Sequence, residues 1–229
     1  MGGVTEIAAS MLSRAFERTE TAAQNLTNMT TPGYKAQRSF AGLLIDSSQR
    51  ANTKPAFDFS AGALQNTGDP LNLAISGTGF FTVSSGAETY YTRDGQFTRD
   101  ADGRLVTAGG FALQADNGGD VVVSQNNPQI LEDGTVVENG QPVSHIGLTN
   151  FADLSALSAH GAGLYAAAQP ADALATGRIR QGMIETSNVS TADEMVSIMA
   201  STRTAESGSK LIQVYDDLMG RALDAFGQT

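Results

Sequence analysis

The chain has no cysteine and no tryptophan, only two histidines, no run of lysine or arginine, and no long uninterrupted apolar stretch. Each absence removes a class of protein. Without cysteine there is no disulfide, no thiolate metal site and no thiol nucleophile, and the redox character of the compartment stays open. With 14 basic against 24 acidic residues and a net charge of −10, no basic stripe exists to neutralise phosphates or dock on anionic lipid, so neither nucleic acid nor lipid membrane insertion is expected. The start, Met1-Gly2-Gly3-Val4-Thr5-Glu6, has no basic n-region, and Arg14, Glu17, Arg18 and Glu20 follow where an apolar core would stand. A cleavable signal is therefore not expected.

What remains is a chain of 229 residues with 41% apolar content, enough for a real core in one or two domains. Its 25 glycines and 7% aromatics suit a turn-rich β architecture with modest side chains between the turns. The two ends differ from the middle. All six prolines fall between Pro32 and Pro170, residues 4–31 hold neither Gly nor Pro, and 183–219 hold only Gly208. Both ends can carry long helices.

In the first end, Ala8, Leu12, Ala15, Thr19, Ala22, Leu26 and Met29 recur at alternating spacings of four and three, the period of a coiled-coil seam. In the second, Ile198, Ala205, Ile212, Met219 and Phe226 repeat every seven, with Gly208, Tyr215 and Ala222 as a second column. Neither narrow stripe can be buried by its own helix, so these seams must pack on each other, on the middle of the chain or on other copies. Thr191-Ala192-Asp193-Glu194 reads as a capping box opening the second helix. Between the helices, apolar runs at 71–75, 80–83, 89–92, 104–107, 111–113 and 121–123 alternate with Gly and Asx clusters, which predicts antiparallel strands. The Ala-rich stretch 152–175 has no clear period.

Few groups invite chemistry. Ser76-Gly77-Thr78-Gly79-Phe80-Phe81 begins like a dinucleotide fingerprint, but the third glycine and the following helix are missing, so it reads as a glycine-rich strand connection. Asp100-Ala101-Asp102-Gly103 resembles the start of a calcium loop, yet the twelfth position is Phe111, which cannot ligate, so a turn is expected. His145 and His160 lack partners at metal-ligand spacing, and no nucleophile elbow is present. No catalytic residue, cofactor site or metal site is expected. Asn25, Asn28 and Asn188 stand in glycosylation sequons, but a structural use, where helix gives way to strand, fits their positions better.

Several segments become specific together. Asn25-Leu26-Thr27-Asn28-Met29-Thr30-Thr31-Pro32-Gly33-Tyr34-Lys35 resembles the signature that closes the first helix of the bacterial flagellar axial proteins. The segment 70–81, with Gly79, Phe80 and Phe81, resembles the central segment of that family's rod and hook members, and Tyr91-Thr92-Arg93-Asp94-Gly95-Gln96-Phe97 continues it. Gly182-Met183-Ile184-Glu185-Thr186-Ser187-Asn188-Val189, followed by Glu194-Met195 and Arg203, is similar to its C-terminal pattern. These motifs span nearly the whole chain in the family's order. One departure is Thr204-Ala205-Glu206, where the family usually places an aromatic residue before the glutamate.

The resemblance implies an α+β fold: N- and C-terminal helices pairing as a coiled-coil-like assembly domain (1–35 and 185–229), with an antiparallel all-β domain inserted between them (36–184). It implies a structural subunit and no enzyme, exported without signal cleavage through the flagellar type III export apparatus and polymerising helically in the periplasm with other rod proteins and copies of itself. The assembly interface is expected at Ala8, Leu12, Ala15, Ala22, Leu26, Met29, Ile198, Ala205, Ile212, Tyr215, Met219 and Phe226. Chain length favours the shorter, proximal-rod type over the distal-rod and hook types. A secreted cell-wall glycan hydrolase would need two carboxylates in an apolar setting, and no such pair is marked among the acidic residues. A monomeric adhesive β module would leave both terminal seams without a use.

Overall fold

A computed structural model of the chain describes residues 3–38, 56–86, 88–167 and 173–227. The chain forms two compact units: Met1–Thr27 with Gln37–Ala56 and Val189–Thr229, and Asn28–Ala36 with Phe57–Asn188. Among the described residues the first is dominated by the two terminal helices and the second is built of antiparallel strands, the α+β arrangement with a β insert that the sequence implies.

In the helical unit, α1 spans Gly3–Thr27 and α2 spans Thr191–Gly227. The two run antiparallel, since Asn25 meets Glu194 at one end of the pair while Gly208 meets Ala8 and Leu12 further along. The small-residue column does the packing: Ala8, Ala15 and Ala22 are buried on α1, and Ser201 and Gly208 on α2. A β-carbon added at Gly208 would lie 3.3 Å from the Ala8 carbonyl and from Leu12 Cγ, so the helices pack closely enough there that alanine would push its neighbours aside by a few tenths of an ångström. With 37 residues in α2 against 25 in α1, α2 runs past the described start of α1 by about 18 Å at 1.5 Å per residue.

Two helix limits differ from those expected. α1 stops at Thr27, so Met29 lies in the following turn and not on the seam. There the Thr31 amide bonds to the Asn28 carbonyl, Pro32 disfavours helical geometry at Thr31, and Gly33 takes φ +67°. At the start of α2 the capping group is Ser190, whose hydroxyl accepts from the Asp193 amide at 3.4 Å. The Glu194 side chain, expected to close a capping box with Thr191, instead accepts from Asn25 Nδ2 at 2.7 Å.

In the β unit the described strands include a nine-stranded antiparallel sheet centred on Phe80–Ser85, which pairs with Glu88–Thr92 on one side and with Ala112–Leu113 and Leu148–Asn150 on the other. Leu164–Ala167 and Leu157–Gly161 extend it beyond Glu88–Thr92, and Leu105–Val106 and Thr98–Arg99 beyond Ala112–Leu113. A separate three-stranded sheet holds Gln129–Ile130, Thr135–Glu138 and Gln141–His145. Its hairpin turns at Asn139 and Gly140, both at positive φ (52° and 75°), the pattern of a two-residue primed turn. Two further pairs bring the end of the unit back to its beginning: Arg178–Gln181 with Leu73–Ser76, and Met183–Glu185 with Leu64–Asn66.

The main core gathers Leu73, Ile75, Phe81, Val83, Phe97, Leu105, Leu113, Val121, Val123, Val136 and Ile146. Phe81 meets Phe97 edge to face at 5.4 Å. A second cluster holds Phe80, Phe151, Leu157 and Tyr165, with Phe57 and Phe59 packed against it. Residues 121–123, expected as a strand, make only an isolated bridge between Val122 and Arg104, although Val121 and Val123 are fully buried. Within 152–175, the described residues hold a short 3-10 turn at Leu154–Ala156 and three strands.

Candidate assembly site

The expected assembly residues fall into two groups. Ala8, Ala15 and Ala22 are buried between the helices of one chain, and Leu12, Leu26, Ile198, Ala205, Ile212 and Tyr215 are half-buried along the same seam. Met219 lies on α2 beyond the start of α1 and is exposed, as is Met29 in its turn. Phe226 is on the last turn of α2, and its side chain lies outside the described residues. The seam is thus used inside the chain. One defect sits in it: the Ser201 hydroxyl is buried without a hydrogen-bond partner.

A second apolar stripe flanks the seam and was not singled out from the sequence. On α2, Leu211, Val214 and Leu218 are exposed at spacings of three and four, and Met195, Val196 and Met199 are exposed near the start of the helix. On α1, Val4, Ile7 and Phe16 are exposed. The stripe has the 3-4 spacing of the seam itself, displaced around the helix, and that displacement is the signal that could have found it.

The family motifs converge in pairs. Asn25, at the end of α1, accepts from the Gln37 amide at 2.8 Å and donates to the Gln37 carbonyl at 2.9 Å, a side chain imitating a strand partner, while its amide also holds Glu194. Burial of Asn25 in this network supports the structural reading of that residue. Met195, by contrast, points outward.

In the β unit the Lys35 ammonium lies 2.6 Å from Glu185 Oε1, with side-chain exposures of 0% and 1%. Lys35 Nζ also donates to the Ser60 carbonyl at 2.7 Å, and the Gly62 amide donates to Glu185 Oε1 at 2.8 Å. The other carboxylate oxygen accepts from Arg93 Nη1 at 3.2 Å, while Arg93 Nη2 donates to the Gly77 carbonyl. Arg93 lies over the Phe80 ring at 5.2 Å, so that motif residue packs on the cluster. Burial pulls both Lys35 and Arg93 below their ordinary pKa values, against the opposing pull of Glu185. The limits read from sequence, at 35/36 and 184/185, cut through this ion cluster, and both Lys35 and Glu185 belong to the compact β unit.

Neighbouring motif residues brace the cluster. Gly33, at φ +67°, donates its amide to the Glu185 carbonyl at 2.8 Å and lies so close to the Arg93–Asp94 backbone that any β-carbon would collide with it. Tyr34 is buried. Asn188 Oδ1 accepts from the Ala36 amide at 2.8 Å, and its Nδ2 donates to the Asp58 carbonyl at 2.7 Å. Ser187 and Val189 border this contact in sequence. Gly77 and Gly79 join two strands at φ 110° and 124°, and a β-carbon at Gly79 would lie 2.7 Å from the Ala175 methyl. That is the strand-connection role expected of the glycine pair.

The acidic turn also follows expectation: Asp100 accepts from the Asp102 and Arg104 amides and from Arg104 Nε. Among the described residues there is no group of three or more His, Cys, Asp or Glu side chains able to hold a metal ion, and no helix is long and apolar enough to cross a membrane. The arrangement has a paired-helix unit made from both ends of the chain, with an apolar flank left uncovered, and a β unit whose buried charges Lys35, Arg93 and Glu185 are paired with one another. Those features define a structural, associating protein.

Comparison with known families assigns it more closely. Residues 74–140 match the flagellar hook protein FlgE/F/G D1 domain, and 180–225 match the flagellar basal body rod FlgEFG protein C-terminal domain. The chain is 31% identical over 224 residues to the flagellar basal-body rod protein FlgF of Caulobacter vibrioides, covering 90% of each chain. It is 32% identical over 253 residues to the flagellar basal-body rod protein FlgG of Borreliella burgdorferi, covering 94% of this chain and 95% of the relative. It is also 34% identical over 181 residues to FlgG of Bacillus subtilis, covering 70% and 67%. The chain belongs to the flagellar basal-body rod protein family, a family of structural components of the flagellum.

Proposed function

We propose that the chain is a FlgF-like subunit of the proximal rod, polymerising helically with other rod proteins and copies of itself to form part of the drive shaft and the wall of the export channel. The observation that carries this reading is the uncovered apolar stripe beside an already filled seam. A helix pair that satisfies its own interface and still presents Leu211, Val214 and Leu218 to solvent has a second face for a neighbour. Head-to-tail contacts of that kind extend into a helix when their rotation does not close.

The relatives carry both FlgF and FlgG names at similar identity, and the proximal position is the placement proposed. A distal-rod or hook placement is the alternative. The proposal includes export through the type III apparatus without signal cleavage, a periplasmic location, and no enzymatic activity. A strain lacking the chain should build the membrane-embedded base and stop before the distal rod and hook. Complete rods and hooks in that strain would overturn the placement.

A further inference from the structure

We infer that Glu185 is a latch that docks the chain segments on either side of the helical unit, 33–36 and 185–188, onto the β unit in one concerted step, separable from folding of the β core. The inference rests on the ion cluster alone and not on the place of the chain in the flagellum.

One carboxylate serves both segments and two others. Glu185 Oε1 takes the Lys35 ammonium and the Gly62 amide, Oε2 takes Arg93, and the backbone carbonyl takes the Gly33 amide. Three residues on, Asn188 holds the Ala36 amide and the Asp58 carbonyl, and Asp58 in turn donates its amide to Ala36. Backbone approaches that admit only glycine, Gly33 on Arg93–Asp94 and Gly62 on the Thr186 carbonyl, seat the segments flush.

If the 185–188 segment lifts, the buried Lys35 and Arg93 cations lose their shared carboxylate and repel one another, and only the weaker attraction of Asp58 for Lys35 remains. Removing one partner of a buried pair is far more disruptive than never having formed the pair. Docking of 33–36 without 185–188 is therefore unfavourable, and so is the converse. The two segments join across a separation of 150 residues, so the latch closes late in chain-closure terms. The core does not wait for it, because the main hydrophobic cluster runs from Leu71 to Ile179 and includes no residue of either segment.

Native-state hydrogen exchange on the full-length chain tests this directly. The amides of Gly33, Ala36, Asp58, Gly62 and Thr186 all donate inside the latch region, while those of Leu105 and Val121 donate inside the core. In the unaltered chain the five latch amides should converge on one opening reaction that requires less denaturant than the core amides do. In Glu185→Gln their exchange should rise together by about a hundredfold or more, with Leu105 and Val121 unchanged. Lys35→Met, which leaves the Arg93–Glu185 pair intact, should raise the same five by a smaller common factor. Latch amides that open at unrelated rates, or only together with the core, would overturn the inference. So would a Glu185→Gln effect confined to Gly62 and Thr186, or a Glu185→Gln chain whose core no longer folds.

Discussion

Replacing Leu218 by aspartate separates the face used inside the chain from the face left for a neighbour. Leu218 is 60% exposed on α2, in line with Leu211 and Val214. In the isolated chain the change removes little: the loss of helix propensity is about 0.5 kcal/mol, and exposed substitutions ordinarily stay near that size. In an assembled rod the cost is larger. Burying a leucine contributes about 1.5–3 kcal/mol in full, of which the exposed part is worth roughly 1–2 kcal/mol. A carboxylate in a dry contact adds several kcal/mol more, of which Arg221, three residues on along the same helix, offsets only a few tenths.

At a factor of ten per 1.4 kcal/mol, each contact weakens by more than about a hundredfold. Leu218→Ala, which loses only the burial, should weaken it by about tenfold. Circular dichroism and urea unfolding of the purified variants should match the original chain, whereas incorporation into basal bodies, measured by their protein content in a complemented deletion strain, should fail for Leu218→Asp. Rods carrying the aspartate variant at normal levels would refute the reasoning, and so would loss of α2 in the free variant.

Three further substitutions test the fold. Ser201→Ala removes a buried hydroxyl that has no partner, and should raise stability by about 1 kcal/mol in urea unfolding. Gly95→Ala places a β-carbon into the Leu73 carbonyl, so the β unit should lose more than about 3 kcal/mol and the chain should become sensitive to protease. Burial holds the Asp94 carboxyl above its ordinary pKa, opposed by a bond from the Gln96 amide. Its ionised form thus destabilises the fold at neutral pH, and that penalty fades as pH falls through the raised folded value and is gone below the unfolded value of 3.8. Asp94→Asn keeps an acceptor for Gln96, so it should be the more stable chain at pH 7, with the difference closing as the medium is acidified.

The parts of the fold that were legible in sequence are those where one period or one motif dominates. Ala8, Ala15 and Ala22 mark the buried column of α1 because small residues at seven-residue spacing have no other local use. Strands such as Phe80–Ser85 and Glu88–Thr92 showed themselves by β-branched and aromatic runs between glycine turns. The hairpin of Thr135–Glu138 and Gln141–His145 was missed although Asn139-Gly140 is a strong turn signal, since its second strand carries Gln141, Pro142 and Ser144 and little apolar alternation. Val121 and Val123 misled in the opposite direction: they are core residues whose backbones bond to Leu105, Leu113 and Gly103, but the segment forms no continuous strand.

At the site, the motifs named Lys35 and Glu185 but not their partnership, because nothing local links charges 150 residues apart. Arg93 stands within the 91–97 motif, but its partner Glu185 was hidden for the same reason. The outer stripe of α2 was overlooked because a period locates every apolar position on a helix but does not say which of two adjacent stripes the chain will use for itself.

Imaging of intact basal bodies with this subunit located in them tests the central claim most directly. The account predicts the chain within the rod, in the periplasm below the hook, with the 211–218 face of each α2 covered by a neighbouring subunit. Finding it along the external hook, or finding it in the rod with that face turned to solvent, would contradict the account.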